Sequence, residues 1–425
     1  MSEENDEKSA LVPRRRFPEF RDAGQWEEKT LGDLSTVVRG GSPRPIDGFL
    51  TTAANGLNWL KIGDVDKEAK YVTKTEEKVR PEALNKTRVV SPGDLILSNS
   101  MSFGRPYLMK IKSCIHDGWI AITEPSEVVS REYLYYLIFS PTSQSYFLNN
   151  AAGSGVLNLN AEIIRALPAA FPSSLEQQKI ADCLSSLDEL ITAETHALTA
   201  LKTHKKGLMQ QLFPREGETA PRLRFPEFRE APVWNAKTLD QVSPSIFDGT
   251  HQTPKYAEEG VPFFSVENII SGNKNKFISE EDHIVATRKN KPEQGDILVT
   301  RIGNIGHSVV VHWNYEFSIY VTLAVVKGSP SFDSYFLHGY FQSSRYQKEI
   351  LSKSLLNAVP CKINMEELRK TEVLLPEIHE QHKIADCLSS LDDLITAQSQ
   401  KIDALKTHKK GLMQHLFPVL DKVPA

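Results

Sequence analysis

The sequence predicts a mixed α/β protein, α+β in layout, built twice along one chain. A divergent domain is followed by a long helix, the pair then repeats, and the two helices are expected to pair as an antiparallel coiled coil with pseudo-twofold symmetry. Three observations carry this. The ten residues KIADCLSSLD, starting at Lys179, recur from Lys383. That match extends over 176 to 214 against 380 to 418, with 30 of 39 positions identical and no gap. A second repeated stretch, PRRRFPEFRDAGQW from Pro13 and PRLRFPEFREAPVW from Pro221, opens each half. The offset is 208 at the openings and 204 at the closes, so the material between has changed length by four residues.

Taken in order, residues 1–16 are expected to form a disordered tail, because MSEENDEKSALV is charged and lacks the apolar core of a signal peptide. Residues 17–172 form the first divergent domain and 173–214 the first repeated helix. Residues 215–375 hold a linker and the second divergent domain, 376–418 the second helix, and 419–425 a closing tail. A skeleton persists through the divergence. RGGSPRP at 39 to 45 sits where FDGTHQTP sits at 247 to 254, LNWLKIGDV at 57 corresponds to VPFFSVENI at 261, and SPGDLILSNSMSFGRP at 91 corresponds to PEQGDILVTRIGNIGHS at 292. Short β-branched runs between Gly, Pro, Asn and Asp turns, such as DLILS, the stretch near Val89 and HSVVVHW, read as strands. Residues 130 to 140 and 331 to 342, rich in Tyr, Phe and Leu, read as helices. The divergent stretches are therefore one fold with two surfaces.

In the first repeated helix, Ile180, Leu184, Leu187, Ile191, Glu194, Leu198, Leu201, Lys205, Leu208 and Leu212 follow alternating four and three spacing, and eight of the ten are apolar. In the second, Ile384, Leu388, Leu391, Ile395, Gln398, Ile402, Leu405, Lys409, Leu412 and Leu416 repeat it, with polar residues at the same two places. A period of 3.5 held this long predicts a coiled-coil seam rather than a helix lying on its own domain. Ser173 and Glu176 are spaced as a capping box, and Phe-Pro at 213 and 417 stops each helix.

Composition narrows the chemistry. With 40% hydrophobic and 24% charged residues the chain has filled cores, and at 425 residues it exceeds one ordinary domain. Cys114, Cys183, Cys361 and Cys387 fall in no ligand spacing, and no apolar run reaches a membrane span, so the chain reads as cytoplasmic, with no membrane partner. A net charge of −4 means that nucleic acid could be met only by local basic surface or with help from a partner. The chain contains no Pro-Pro, hence no adenine-methyltransferase loop of the [N/D]PP[Y/F/W] kind, and no GxxxxGK[ST] for an ATP motor. Asp64 and Asp66 followed by Glu76-Glu77-Lys78 resemble a metal-dependent nuclease site no more than chance allows. Gly153-Ser154-Gly155 reads as a backbone turn, and His204 and His408, each between lysines on a helix, as solvated or partner-facing groups rather than metal ligands. No catalytic residue, metal site or cofactor site is expected.

The order of EQQKIA, a heptad helix ending KKGLMQQLFP, then RLRFPEFR and a Trp, then a second divergent domain and a second EQHKIA helix, resembles the specificity (S) subunit of a type I restriction-modification system. The resemblance runs from about Phe17 to Pro418. It implies that each divergent stretch is a target recognition domain reading one half of a bipartite, asymmetric site on double-stranded DNA, and that the helix pair sets the unread spacer. It implies two modification (methyltransferase) subunits docked on the repeated regions and restriction (motor-nuclease) subunits joining them. S-adenosylmethionine, ATP and Mg would then belong to those partners, with none bound by this chain. The system would serve phage defence as a heteromultimer. A bivalent coiled-coil scaffold holding two protein partners, with no reading of DNA, is the alternative.

Base reading needs polar side chains on loops that reach groove edges. In the first domain the candidates are Arg39, Ser42, Arg44, Lys61, Asn99, Ser100, Ser102 and Arg105. In the second they are His251, Gln252, Lys255, Glu267, Asn268, Arg301, Asn304 and His307. Each is polar where the skeleton matches and the side chain differs. Trp26 and Trp234, with the two FPEF segments, repeat and so belong to the frame as core or docking surface.

Overall fold

The computed structural model describes residues 11–99, 103–151 and 158–418. The chain divides into two compact units, one of residues up to Glu194 together with those from Lys401 on, the other Thr195–Gln400, so that each takes part of both long helices.

The first unit is built on a five-stranded sheet in the order Thr36–Arg39, Trp119–Thr123, Leu95–Ser98, Pro106–Met109 and Tyr71–Val72. Only the last pair is parallel. Leu95–Ser98 is buried along its length because both faces are covered. Leu95 and Leu97 point into a core with helix Arg131–Phe139, while Ile96 lies in a separate core with Trp119 of its own sheet and with Leu60 and Ile115 of a second, four-stranded sheet. The second unit repeats the plan with a four-stranded sheet, Ile246–Asp248, Leu323–Val326, Ile297–Thr300 and Ser308–Val310. There Ile297 and Val299 enter the core with helix Ser334–Phe341, and Leu298 faces Phe264 and Ile319 of a smaller sheet. The strands and helices expected from DLILS, the Val89 stretch, HSVVVHW and the two aromatic runs are all present.

The repeated motifs meet within each unit, which explains why they travel together. Arg16 makes a two-pronged contact with Glu176, Nε to Oε1 2.7 Å and Nη2 to Oε2 2.6 Å, and Arg224 meets Glu380 at 2.8 and 2.6 Å in the same way. A planar fork on a carboxylate fixes orientation as well as charge. Three residues further on, Lys179 pairs with Glu19 and Lys383 with Glu227. Gln177 Nε2 donates to Pro172 O while its Oε1 accepts from Ser130 N, and Gln381 does the same with Pro376 O and Asp333 N. The E-Q-x-K signature is thus the mating half of R-F-P-E-F. Trp26 and Trp234 are buried in the two cores.

The long helices span Ser174–Leu212 and Ile378–Leu416, each stopped at Phe-Pro. Every position of both heptad series is buried or half-buried, and most other positions of the helices are exposed. The polar exceptions have partners. In the first unit Lys409 donates to Asp188, and Lys401 lies 2.6 Å from Glu194. In the second, Lys205 reaches Asp392 at 2.5 Å. The expected capping box is only half made: Ser173 Oγ accepts from Glu176 N at 3.4 Å, but the Glu176 carboxylate is spent on Arg16. An arginine fork outcompetes a backbone N–H for that carboxylate.

Candidate nucleic-acid interface

Two turns hold the polar loops of the first unit together. Gly40 lies where a Cβ would stand 2.1 Å from His116 O, so the chain leaving strand Thr36–Arg39 runs against the turn at His116 to Gly118. Asp117, at the tip of that turn, gathers the candidates. Ser42 Oγ donates to its Oδ1 at 2.8 Å, Arg44 lies 3.5 Å from its Oδ2, and its backbone carbonyl accepts from Arg39 Nε at 2.9 Å and from Asn99 Nδ2 at 3.2 Å. The Ser42 hydroxyl is the main cause that holds Asp117 below the usual carboxylate range, with His116 and Arg39 adding to it against burial. His116 Nδ1 accepts from Gly118 N, and burial pushes its imidazole below the ordinary value. The cluster is therefore one aspartate with four donors round it, Ser42 and Arg44 at the carboxylate and Arg39 and Asn99 at the backbone carbonyl, with the two guanidinium groups at the surface.

Lys61 stands next in register to His116 but is paired with Glu77 at 2.8 Å. Arg105 turns away, its guanidinium 5.0 Å from the Phe139 ring centre and 5.9 Å from that of Tyr107. Ser100 and Ser102, like Gly153-Ser154-Gly155, lie outside the described residues.

The second unit places its loops alike and fills them differently. Gly249 stands where a Cβ would lie 2.1 Å from Ile319 O, as Gly40 does against His116 O. The register sets Arg39 opposite Ile120 and Asp248 opposite Ala324, so a strand-end arginine is replaced by an aspartate. Asn99 N bonds to Gly118 O, and Arg301 N to Thr322 O, so Asn99 is replaced by Arg301. Asp248 Oδ2 then holds Arg301 Nη1 at 3.1 Å and His251 Nε2 at 3.1 Å, while Val321 O accepts from the same Nη1 at 2.9 Å. Arg301 is 7% exposed, and burial presses its guanidinium down against the pull of Asp248. Gln252, Lys255, Asn304 and His307 are exposed.

Glu267 pairs with Lys276 at 2.8 Å. Asn268 is buried: its Oδ1 accepts from Ser265 N at 3.0 Å and its amide donates to Asn273 O and Asn275 Oδ1. The matching bond in the first unit, Lys61 N to Asp64 Oδ2 at 2.9 Å, identifies this position as a turn-holding one in both units.

The organising acids, Asp117 and Asp248, escaped sequence reading. Each is followed directly by a Gly with a neighbour pressed against it, the His116 ring at Gly118 and Ile319 O at Gly249, and that D-G dipeptide was the signal that could have found them. Among the described residues no group of three or more His, Cys, Asp and Glu side chains could hold a metal, and no helix is long and apolar enough to cross a membrane. His204 and His408 are exposed on their helices, and burial pushes the Cys183 and Cys387 thiols up.

Two stretches of the chain, residues 24–203 and 233–407, match the family model of the type I restriction modification DNA specificity domain. The chain belongs to that family. It is a specificity subunit with two recognition domains, the non-catalytic component of such systems. Among curated relatives it is similar to the type I restriction enzyme MjaVIII specificity subunit of Methanocaldococcus jannaschii, 23% identical over 408 residues and 92% of each chain. The putative MjaX specificity subunit of that organism is 24% identical over 424 residues, again 92% of each. The fold matches the S subunit of a type I restriction-modification system from M. genitalium, TM-score 0.58 at 15% identity, over 96% of this chain and 100% of that one. A chain from a study of complex assembly and conformational transition in a type I R-M system gives TM-score 0.60 at 19% identity, over 93% and 98%.

Proposed function

We propose that each recognition domain reads one half of a bipartite asymmetric DNA site through the loops gathered round Asp117 and Asp248. The observation that carries this reading is the contrast between loops and frame. The Arg–Glu fork and the Lys–Glu pair are the same in both units, while Arg39, Asn99 and Asp117 are replaced at matching positions by Asp248, Arg301 and Val321. A common frame with interchangeable polar loops is what two different half-sites require.

In this reading the long helices form an antiparallel coiled coil along the heptad positions Ile180, Leu184, Leu187, Ile191, Leu198 and Leu201 of one and Ile384, Leu388, Leu391, Ile395, Ile402 and Leu405 of the other. The ion pairs of Lys409 with Asp188, Lys401 with Glu194 and Lys205 with Asp392 support that pairing. The helix pair sets the spacer and, with the repeated segments, docks two modification subunits that bring S-adenosylmethionine, while restriction subunits bring ATP and Mg.

The test is to co-express the chain with its modification subunit and map methylated adenines across the genome. One split motif is expected, and exchange of residues 243 to 372 for those of a relative should alter one half of it alone. Absence of any split motif would leave the scaffold reading in its place.

A further inference from the structure

Beside the reading loop of the second unit stands a segment whose side chains have no use in a folded monomer. Leu355, Leu356 and Val359 are 50%, 57% and 100% exposed. They sit on a closed finger: Leu355 N bonds to Lys362 O at 2.7 Å, Lys362 N to Leu355 O at 3.3 Å, and Ala358 N to Leu355 O at 3.3 Å. The finger is fastened to the loop that carries Asn304 and His307. Gly303 N donates to Cys361 O at 2.8 Å, Cys361 Sγ donates back to Gly303 O at 2.8 Å, and Ile363 N donates to Arg301 O at 2.9 Å. Clustered aliphatic side chains exposed on a tied-down loop mark a contact surface. This one is continuous with the polar loop and is flanked by Lys353 and Lys362.

We propose that this finger is an apolar wedge that enters the DNA at the half-site read by the second unit and packs Leu356 and Val359 against an opened base step. The inference rests on the DNA-reading function above. Side chains of this class, held on a backbone that moves with polar readers, can unstack a step and trade stacking energy for a larger contact. The hydrogen bonds to Gly303 and Arg301 fix where the wedge enters relative to the bases touched by Asn304 and His307. Partial opening of a step would also ease extrusion of a base for chemistry by a partner.

The experiment uses the complex with modification subunits and target duplexes carrying 2-aminopurine at successive positions of the mapped motif. For the unaltered chain, fluorescence rises at one step in the half-site of the second unit. In the double variant L356S/V359S, whose altered side chains are at the surface, that rise is lost and affinity falls about tenfold. Placing a mismatch at the same step, which opens it beforehand, restores most of the affinity. If the variant keeps both the rise and the affinity, the wedge is overturned. If it instead loses its modification subunit in gel filtration, the finger is a protein-docking tip and the wedge is again overturned. If the unaltered complex shows no sequence-dependent binding, the DNA-reading function fails first, which separates the two outcomes.

Discussion

The two units share a skeleton yet charge it oppositely. At the end of the first sheet strand one unit carries Arg39 and the other Asp248, and one step into the adjoining loop they carry Asn99 and Arg301. In the first unit the acid is at the tip of a turn and the bases lie outside it. In the second the acid is on the strand and the base is buried behind it, 9% exposed at its side chain. By contrast the forks that join Arg16 to Glu176 and Arg224 to Glu380 are nearly superimposable in length and burial. The contacts of the frame have been kept while the charges at a matching set of strand ends have changed.

That contrast is most strongly tested at the frame. Glu176 and Glu380 are each 1% exposed, so truncation leaves an arginine buried without its carboxylate. E176A and E380A should each cost about 3–5 kcal/mol, read by hydrogen exchange on the unit concerned. The sharper expectation is that the two costs agree, because the contacts do. Unequal losses would break the claim of one frame used twice.

The reading acids should behave unequally. Arg301 cannot shed its charge, so D248N leaves a buried guanidinium facing an amide and should destabilise the second unit by about 2 kcal/mol. Asp117 is 40% exposed at its side chain and Arg44 83%, so D117N should leave the first unit within about 0.5 kcal/mol of the unaltered chain. Its effect is on reading: Ser42 and Arg44 lose their anchor, and discrimination in one half of the motif relaxes while the other half keeps its own. Chemical denaturation and methylation mapping of both variants decide this. Equal destabilisation would show that the two acids do one job.

The duplication, the two long helices with their heptad spacing and the strand runs were legible in the sequence because each repeats at a fixed spacing and depends on polarity alone. The loops were legible as places, since the skeleton aligns through Gly93-Asp94 and Gly295-Asp296, whose glycines adopt φ of +93° and +90°. Roles within the loops were not legible. Asn268 looked like a reader and is a buried turn-holder, Lys61 is tied to Glu77, and Arg105 lies on the Phe139 ring. A polar residue in a loop has the same letter whether its hydrogen bonds go to solvent or to its own backbone. Only the position of neighbouring carbonyls tells them apart. Ser173 and Glu176 teach the same lesson: the spacing of a capping box was right, and a distant arginine took the carboxylate.

The mildest difference lies on the helix behind each reading sheet. At the site of Tyr135 in the first unit the second has His338, whose Nδ1 lies 2.9 Å from Ser308 Oγ and whose surroundings include Lys205, Asp392 and His307. Burial, with Lys205 adding to it and Asp392 opposing, lowers the imidazole to about 4. Between that value and the ordinary histidine range near 6.5, the unfolded chain binds a proton that the folded unit refuses. Stability tied to His338 is therefore full above about pH 6.5 and is lost as pH falls toward 4, about 1 kcal/mol by pH 5.5. Tyr135, pushed upward by burial, has no charge to gain in that window. Hydrogen exchange followed from pH 7 to 5.5 should show the second unit loosening relative to the first, and H338Q should remove most of the difference in slope. Because burial lowers His116 in the first unit as well, the deciding comparison is within the second unit: an H338Q slope equal to that of the unaltered chain would mean that His338 accepts the proton at no cost, and the two helices would then be equivalent in acid as well as in shape.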